Sequence, residues 1–358
     1  MEERLDAFGM LDLMVRPGFC VKDNTIQHAN QAALALMITP DTNVTQLLLT
    51  GREEYAAFEA GCLYLTLSLN GESWSASVTR MGEYHIFLLD QDAEQAELQA
   101  MALAARELRE PLAKVMITAD RLFPMAALQE DPTIRDQVAR MNRGLLQMLR
   151  VIGNMSDAQR YSADRGANLE IRDVAALMQE IFDRSGELVS HAGLTLSFRN
   201  LDAPADCLVD SEKLERAVLN ILSNAIKFTP KGGTIDCSLS RRGNMLCLQV
   251  RDSGTGIPDA IRSQLHSRYQ RQPGIEEGRY GIGLGMVLIR STAAIHGGTV
   301  LVDHPEGCGT RITMTLAMRR PTSGTLRSPV LHVDYAGERD HALMELSEIL
   351  PASLYEKN

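Results

Sequence analysis

The 358-residue chain carries 36 Lys and Arg against 46 Asp and Glu, a formal net charge of −10. That balance argues against nucleic acid as a direct partner, and no apolar run approaches the roughly 20 residues that span a bilayer. Met1-Glu2-Glu3-Arg4 lacks the basic and apolar regions of a signal peptide, so the chain reads as cytoplasmic. Length predicts two or three domains, and 45% hydrophobic with 23% charged residues is a globular composition. The six cysteines, at 20, 62, 207, 237, 247 and 308, form no C-x-x-C or zinc pattern, so reduced thiols are expected.

Residues 1–91 read as a small unit of short strands. Gly18–Val21 and Ile26–Ala29 flank the turn material Lys22-Asp23-Asn24, and Asn30–Met37 predicts a short helix. Cys62–Leu69 and Ser73–Thr79 flank Asn70-Gly71, the strongest short hairpin signal. A further strand is expected over Met81–Leu88. His28 and His85 are separated and sit in no ligand motif.

Residues 92–162 are helical in rhythm. Leu98, Met101, Ala105, Leu108, Leu112, Val115, Ala119 and Leu122 alternate spacings of three and four, an a/d seam. Pro124 and Asp131-Pro132 end it. Ile134, Val138, Met141, Leu145, Met148, Ile152 and Met155 repeat the rhythm in a second helix. A two-helix hairpin leaves apolar stripes uncovered. Pairing of two chains into a four-helix bundle covers them, and packing on other domains of one chain is the alternative.

Three pieces between Asp210 and Thr310 carry chemistry. Ser211–Phe228 predicts a helix, with Leu214, Val218, Ile221, Leu222 and Ala225 on its apolar face and Asp210 or Ser211 as N-cap. Asn220, Asn224 and Lys227 share another face. Amide oxygens suit a hard metal that keeps its waters, and a lysine offers phosphate a point charge. Met245–Arg251 predicts a strand ending at Asp252, where a carboxylate can accept from an exocyclic amine. Gly254 and Gly256 follow and let a flat ligand approach. Gly281, Gly283, Leu284 and Gly285 precede an apolar helix over Met286–Ile295, an arrangement that offers free N–H groups to phosphate.

In this order and at these intervals the pieces resemble the ATP-binding domain of sensor histidine kinases, an α/β sandwich shared with gyrase-type ATPases, over about Leu169–Arg319. The resemblance makes Asp210–Lys227 the N box, Asp252–Pro258 the first glycine box, Gly281–Gly285 the second and Gly307–Thr310 the last. It implies ATP and Mg2+ as cofactors. Asn220 and Asn224 would hold the metal, Lys227 and Arg271 would contact phosphate, and Asp252 would read adenine. Arg268-Tyr269-Gln270-Arg271 stands at a basic-aromatic box of the lid, with His266 in place of the usual Phe. The implied fold class is an α+β multidomain chain: a PAS-like sensor over 1–91, a coiled-coil-like dimerisation hairpin over 92–162, the histidine-kinase-type ATP-binding domain over 163–320, and a linker with a strand and helix over 321–358.

Ala105-Arg106-Glu107-Leu108-Arg109-Glu110-Pro111-Leu112 resembles the phosphoacceptor box H-E-L-R-x-P-L. Glu107, Leu108, Arg109, Pro111 and Leu112 match it, and Arg106 stands where the histidine belongs. A guanidinium cannot be deprotonated to act as a nucleophile. Between His85 and His191 there is no other histidine, and Glu110 replaces the Thr or Asn that the family uses for dephosphorylation. The readings that follow are a histidine kinase acting in trans, a pseudokinase whose nucleotide state is read by a response regulator or another signalling protein, and a plain ATPase or serine kinase. Against the ATPase, neither Glu212 nor Glu215 has the spacing from Asn220 that would make it the catalytic carboxylate. In the tail, Val330–Val333 predicts a strand and His341–Leu350 an amphipathic helix packing on the ATP domain or the hairpin.

Overall fold

The computed structural model describes residues 2–89, 92–122, 132–162, 167–201, 203–256, 284–305, 309–319 and 340–356. The first part runs α1 (Glu2–Asp12), β1 (Gly18–Lys22), β2 (Thr25–Ala29), α2 (Gln31–Ala35), α3 (Arg52–Ala56), β3 (Cys62–Leu69), β4 (Glu72–Met81) and β5 (Tyr84–Leu89). The strands pair antiparallel in the order β2-β1-β5-β4-β3. Asn70-Gly71 turns the expected hairpin, with Leu69 opposite Glu72. The strand expected over Met81–Leu88 is two pieces, because Gly82 takes a φ of 59° and turns the chain between Met81 and Tyr84. Buried Asn30 caps α2 by accepting from Ala33 N–H, and its amide donates to the carbonyls of Leu11, Met14 and Arg16. One side chain thereby ties the end of α1 to the sheet.

Helices α4 (Asp92–Leu122) and α5 (Pro132–Ser162) pack along each other. The seam is not buried as an unbroken stripe. Leu98, Ala105, Leu112, Met116 and Ala119 are buried, whereas Leu108, Val115 and Leu122 are 51%, 53% and 66% exposed. A straight helix drifts about 20° per heptad from a 3.5-residue repeat, so one neighbouring helix covers one flank and leaves the other open.

The remainder is a second α/β unit: β6 (Glu170–Asp173), α6 (Val174–His191), β7 (Thr195–Arg199), β8 (Asp206–Val209), α7 (Ser211–Phe228), β9 (Thr234–Arg242), β10 (Met245–Asp252), α8 (Leu284–Ile295), β11 (Val300–Asp303) and β12 (Arg311–Ala317). Its main sheet runs β11-β12-β10-β9-β7, with β7 and β9 parallel, while β6 and β8 pair apart from it. Helices α6 and α7 contribute Met178, Ile181, Phe182, Val218, Ile221 and Leu222 to the core over this sheet. The α7 bounds are those the apolar spacing predicts, and Asp210 is the cap: its Oδ1 accepts from Lys213 N–H at 3.1 Å. Helix α8 starts at Leu284, two residues earlier than expected, and so takes Gly285 into its first turn.

Two joints connect the parts. Strand β11 pairs antiparallel with β3, Val300 opposite Tyr64 and Val302 opposite Cys62, so both sheets form one ten-stranded sheet. Arg290 lies over the Tyr64 ring at 4.2 Å, and Thr315 Oγ1 donates to Glu54 at 3.0 Å across the same joint. At the other joint, Leu98 and Ala158 of the hairpin pack against Leu284, Val287 and Leu288. The tail helix α9 (His341–Glu345) is shorter than the expected His341–Leu350. Ser347 Oγ donates to the Met344 carbonyl, the local competition that ends a helix, and a 3-10 turn follows at Ala352–Tyr355. The strand expected at Val330–Val333 lies outside the described residues. Cys20, Cys62, Cys207, Cys237 and Cys247 are buried free thiols. Among the described residues no helix is long and apolar enough to cross a membrane.

Candidate functional site

Asp252 ends β10 and is 7% exposed. Its Oδ1 accepts from the N–H groups of Gly254 at 2.8 Å and Thr310 at 3.1 Å. Burial pushes its carboxyl above the ordinary value, and those two N–H groups only partly offset the shift. Oδ2 accepts no hydrogen bond among the described residues. Gly309, at φ 87°, is held against this corner: a Cβ there would collide with the Asp252 carbonyl. Gly256 has a φ of 74° and lies against His304, whose ring Nδ1 is 2.5 Å from the Gly309 carbonyl. Gly254, Gly256, Gly309 and Thr310 thus gather around a single carboxylate.

Helix α7 supplies the second wall. Asn220 is 2% exposed, and its amide donates to the Arg216 carbonyl at 2.9 Å. A Cβ at Gly285 would lie 2.9 Å from Asn220 Oδ1, so the start of α8 meets the N-box face here. Asn224, one turn on, is half-buried, and its amide makes no hydrogen bond among the described residues. Lys227 is not free: its amine is 2.6 Å from Glu348 Oε1 of the tail. Leu284 is 3% exposed and packs against Leu98 and Ala158, an apolar role in the hairpin joint. The structure therefore brings Asp252, Gly254, Gly256 and Thr310 into one corner, and Asn220 and Gly285 into contact. Ile257, Pro258, Arg271, Gly281 and Gly283, with the whole lid segment, lie outside the described residues.

The hairpin position behaves differently. Arg106 and Glu107 are exposed on α4, and neither makes an ion pair or side-chain hydrogen bond among the described residues. Both lie on the outer surface of the hairpin. The two histidines of the first unit do have partners: His28 Nε2 is 2.8 Å from Asp12 Oδ1, and His85 Nδ1 is 3.1 Å from the Tyr55 hydroxyl.

Sequence reasoning missed a polar cluster at the root of α7. Arg216 is fully buried, pairs with Asp157, donates to Asn154 Oδ1 at 2.8 Å and reaches Glu345 Oε1 at 3.4 Å. One signal was available: Arg216 is one turn before Asn220, so the polar stripe of α7 is longer than the motif. It also missed His296, buried at 2% exposure, which accepts the Asp210 N–H on Nε2 at 2.9 Å while its Nδ1–H donates to the Thr292 carbonyl. Burial holds that imidazole below its ordinary value of 6.5.

Comparison with known proteins places this geometry. Residues 209–320 match the family described as histidine kinase-, DNA gyrase B- and HSP90-like ATPase. The chain is 30% identical over 267 residues to the adaptive-response sensory kinase SasA of Crocosphaera subtropica, covering 69% of this chain and 67% of that protein. It is 26% identical over 234 residues to the hybrid signal transduction histidine kinase D of Dictyostelium discoideum, covering 63% of this chain but only 15% of that much longer protein. Among solved structures, full-length ShkA in complex with AMPPNP aligns with 62% of this chain and 47% of its own at 20% identity and a TM-score of 0.49. The matched segment runs from the cap of α7 through β12 and contains Asp252, Asn220, Asn224 and Gly285. On the extent of the match to the sensory kinase, the chain belongs to the histidine kinase family.

Proposed function

We propose that the chain is a sensor histidine kinase-like signalling protein that takes Mg-ATP between α7, β10 and α8 and lacks a phosphoacceptor on its own hairpin. One observation carries the nucleotide half. Asp252 is buried and fixed through Oδ1 by two backbone N–H groups, with Oδ2 left to accept the exocyclic amine of adenine. The half-buried Asn224 amide, which makes no hydrogen bond among the described residues, fits a cation that keeps most of its waters. Asn220 would support it from the wall, Lys227 would face the phosphates, and Gly254, Gly256, Gly281, Gly283 and Gly285 would let backbone approach the ligand. Arg271 and Thr310 complete the proposed set. Bound Mg2+ would neutralise charge on the phosphates. The chain's own residues bind, orient and shield.

Residue 106 supports the other half. Its exposure on α4 is what an acceptor needs, and a guanidinium there has no lone pair to offer. Nucleotide binding then acts by biasing the ATP domain and the hairpin between arrangements, which requires different affinity for the two. A response regulator or another kinase would read that state. The exposed flank of α4, with Leu108, Val115 and Leu122, supports pairing of two hairpins into a homodimer. The five-stranded N-terminal sheet with its short helices supports a PAS-like sensor, and the domain limits at 91, 162 and 320 follow the same reading. The place of action is the cytoplasm, with no nucleic acid or membrane span involved.

The test is a labelling assay with γ-labelled ATP and Mg2+ on the parent and on Arg106→His. A blank parent and an acid-labile label on the variant is the expected result. A labelled parent would overturn the missing-acceptor reading and point to transfer onto another side chain. If neither labels while the parent binds ATP, the reading of residue 106 as the only missing element fails.

A further inference from the structure

We infer that residues 340–356 form an internal acidic strap whose Glu348 occupies the phosphate side of the nucleotide site, so that strap docking and Mg-ATP binding compete for Lys227. The inference rests on the reading of Lys227 as a phosphate contact.

The strap is held in two ways. Its apolar side chains Met344, Leu346, Leu350 and Tyr355 are each at most 1% exposed and join the main core. Its backbone is gripped by α5: Arg143 donates to the carbonyls of Ser347 and Glu348 at 2.8 Å each, Gln147 donates to Ser347 at 2.9 Å, and Asn142 donates to Tyr355 at 3.0 Å. None of these contacts needs an acid at 348. Yet the Glu348 carboxylate is shared between two cations from different elements. Oε1 takes the Lys227 amine of α7 at 2.6 Å, and Oε2 takes Arg150 of α5 at 3.0 Å. Burial pushes this carboxyl upward, but Lys227 and Arg150 outweigh it and leave it below its ordinary value. It is therefore charged in the docked strap.

A carboxylate and a phosphate oxygen make the same demand on an ammonium: both are anionic and accept only. While Glu348 sits on Lys227, the amine is neutralised and a second anion brought there meets like charge in a half-buried setting, where screening is weak. The nucleotide must therefore displace Glu348 or bind without that contact. The carboxylate also bridges α7 to α5, so its displacement removes a link between the ATP domain and the hairpin. That makes the strap a place where nucleotide occupancy is passed to the hairpin.

The experiment uses the full chain and titrates Mg-ATP by calorimetry into the parent, Glu348→Gln, Lys227→Met and the double variant. Glu348→Gln keeps the size and the buried neighbours and removes the charge. It is expected to bind about three- to tenfold more tightly, tenfold being the equivalent of about 1.4 kcal/mol. Lys227→Met is expected to bind more weakly, and in its background the Glu348→Gln gain should vanish. Hydrogen exchange on the unaltered protein gives a second readout, with residues 341–355 less protected when Mg-ATP is present. If Glu348→Gln binds equally or more weakly while Lys227→Met loses affinity, the strap inference falls and the reading of Lys227 stands. Unchanged affinity in Lys227→Met would sink the reading of Lys227 and the strap with it. Protection in 341–355 that stays level or rises with nucleotide also overturns the competition.

Discussion

Asp252 and Arg106 stand at the two ends of the proposed chemistry, and the fold treats them in opposite ways. Asp252 is 7% exposed, bonded through two backbone N–H groups and surrounded by glycines that tolerate no Cβ. Arg106 is exposed on a helix face and bonded to nothing among the described residues. A pocket is built by the same contacts that build the core, so changing it disturbs stability and binding together. An exposed helix position such as 106 carries no such tie, and a side chain can be exchanged there at almost no cost to the fold.

The largest effect expected from breaking this contrast lies behind the pocket. Arg216→Ala would take away the buried guanidinium that Asp157 and Glu345 share, leaving Glu345 with Arg150 at 3.4 Å, and removing one partner of a buried ion pair costs about 3–5 kcal/mol. Denaturant unfolding measures it, and a loss well below that range would show that the cluster tolerates water. Next comes Asp252→Asn. The amide keeps an oxygen for Gly254 and Thr310 but presents N–H groups where adenine needs an acceptor. A hydrogen bond to a charged group is worth about 1.5–3 kcal/mol, so ATP affinity should fall by roughly ten- to a hundredfold. Equal ATP affinity would remove Asp252 from the site.

A smaller effect is set by pH. His296 is held below 6.5 by burial, so its neutral form belongs to the folded state. A depressed folded value means that its contribution is complete above 6.5 and is lost as pH falls through the folded value. Protonation takes the lone pair that accepts the Asp210 N–H at the cap of α7. Melting temperature should drop as pH falls below 6.5, and His296→Gln, whose oxygen can still accept, should flatten that slope. The smallest effect closes the comparison. Arg106→Ala should change unfolding free energy by less than about 0.5 kcal/mol, as for a surface site free of special contacts, and a larger loss would reveal a structural role on the hairpin.

Much of this was legible in the sequence because the signals are local. The apolar spacing of Leu214, Val218, Ile221 and Leu222 gave α7 its bounds, Asn70-Gly71 gave the β3–β4 hairpin, and the glycine segments marked the corner at Asp252. Pairings between distant segments were not legible. Nothing near Val300 says that it will lie opposite Tyr64, and nothing near Glu348 says that it will reach Lys227. Each is an ordinary strand residue or an ordinary acid until tertiary packing chooses its neighbour. The split of the hairpin stripe was hidden for a related reason: an a/d spacing states which residues want cover, not which neighbour supplies it.

The β3–β11 pairing carries a consequence for how the protein is made. On the ribosome, β3 emerges long before β11, so the N-terminal sheet must wait with a bare edge while most of the chain is still being synthesised. That edge includes Cys62, Leu63 and Tyr64, all buried in the finished protein. An open apolar edge strand is a template for other chains. A fragment of residues 1–91 alone should therefore self-associate in sedimentation, and charge placed at Tyr64, which lies outside that unit's own core, should suppress it. The late strand is then an intramolecular chaperone for the early one.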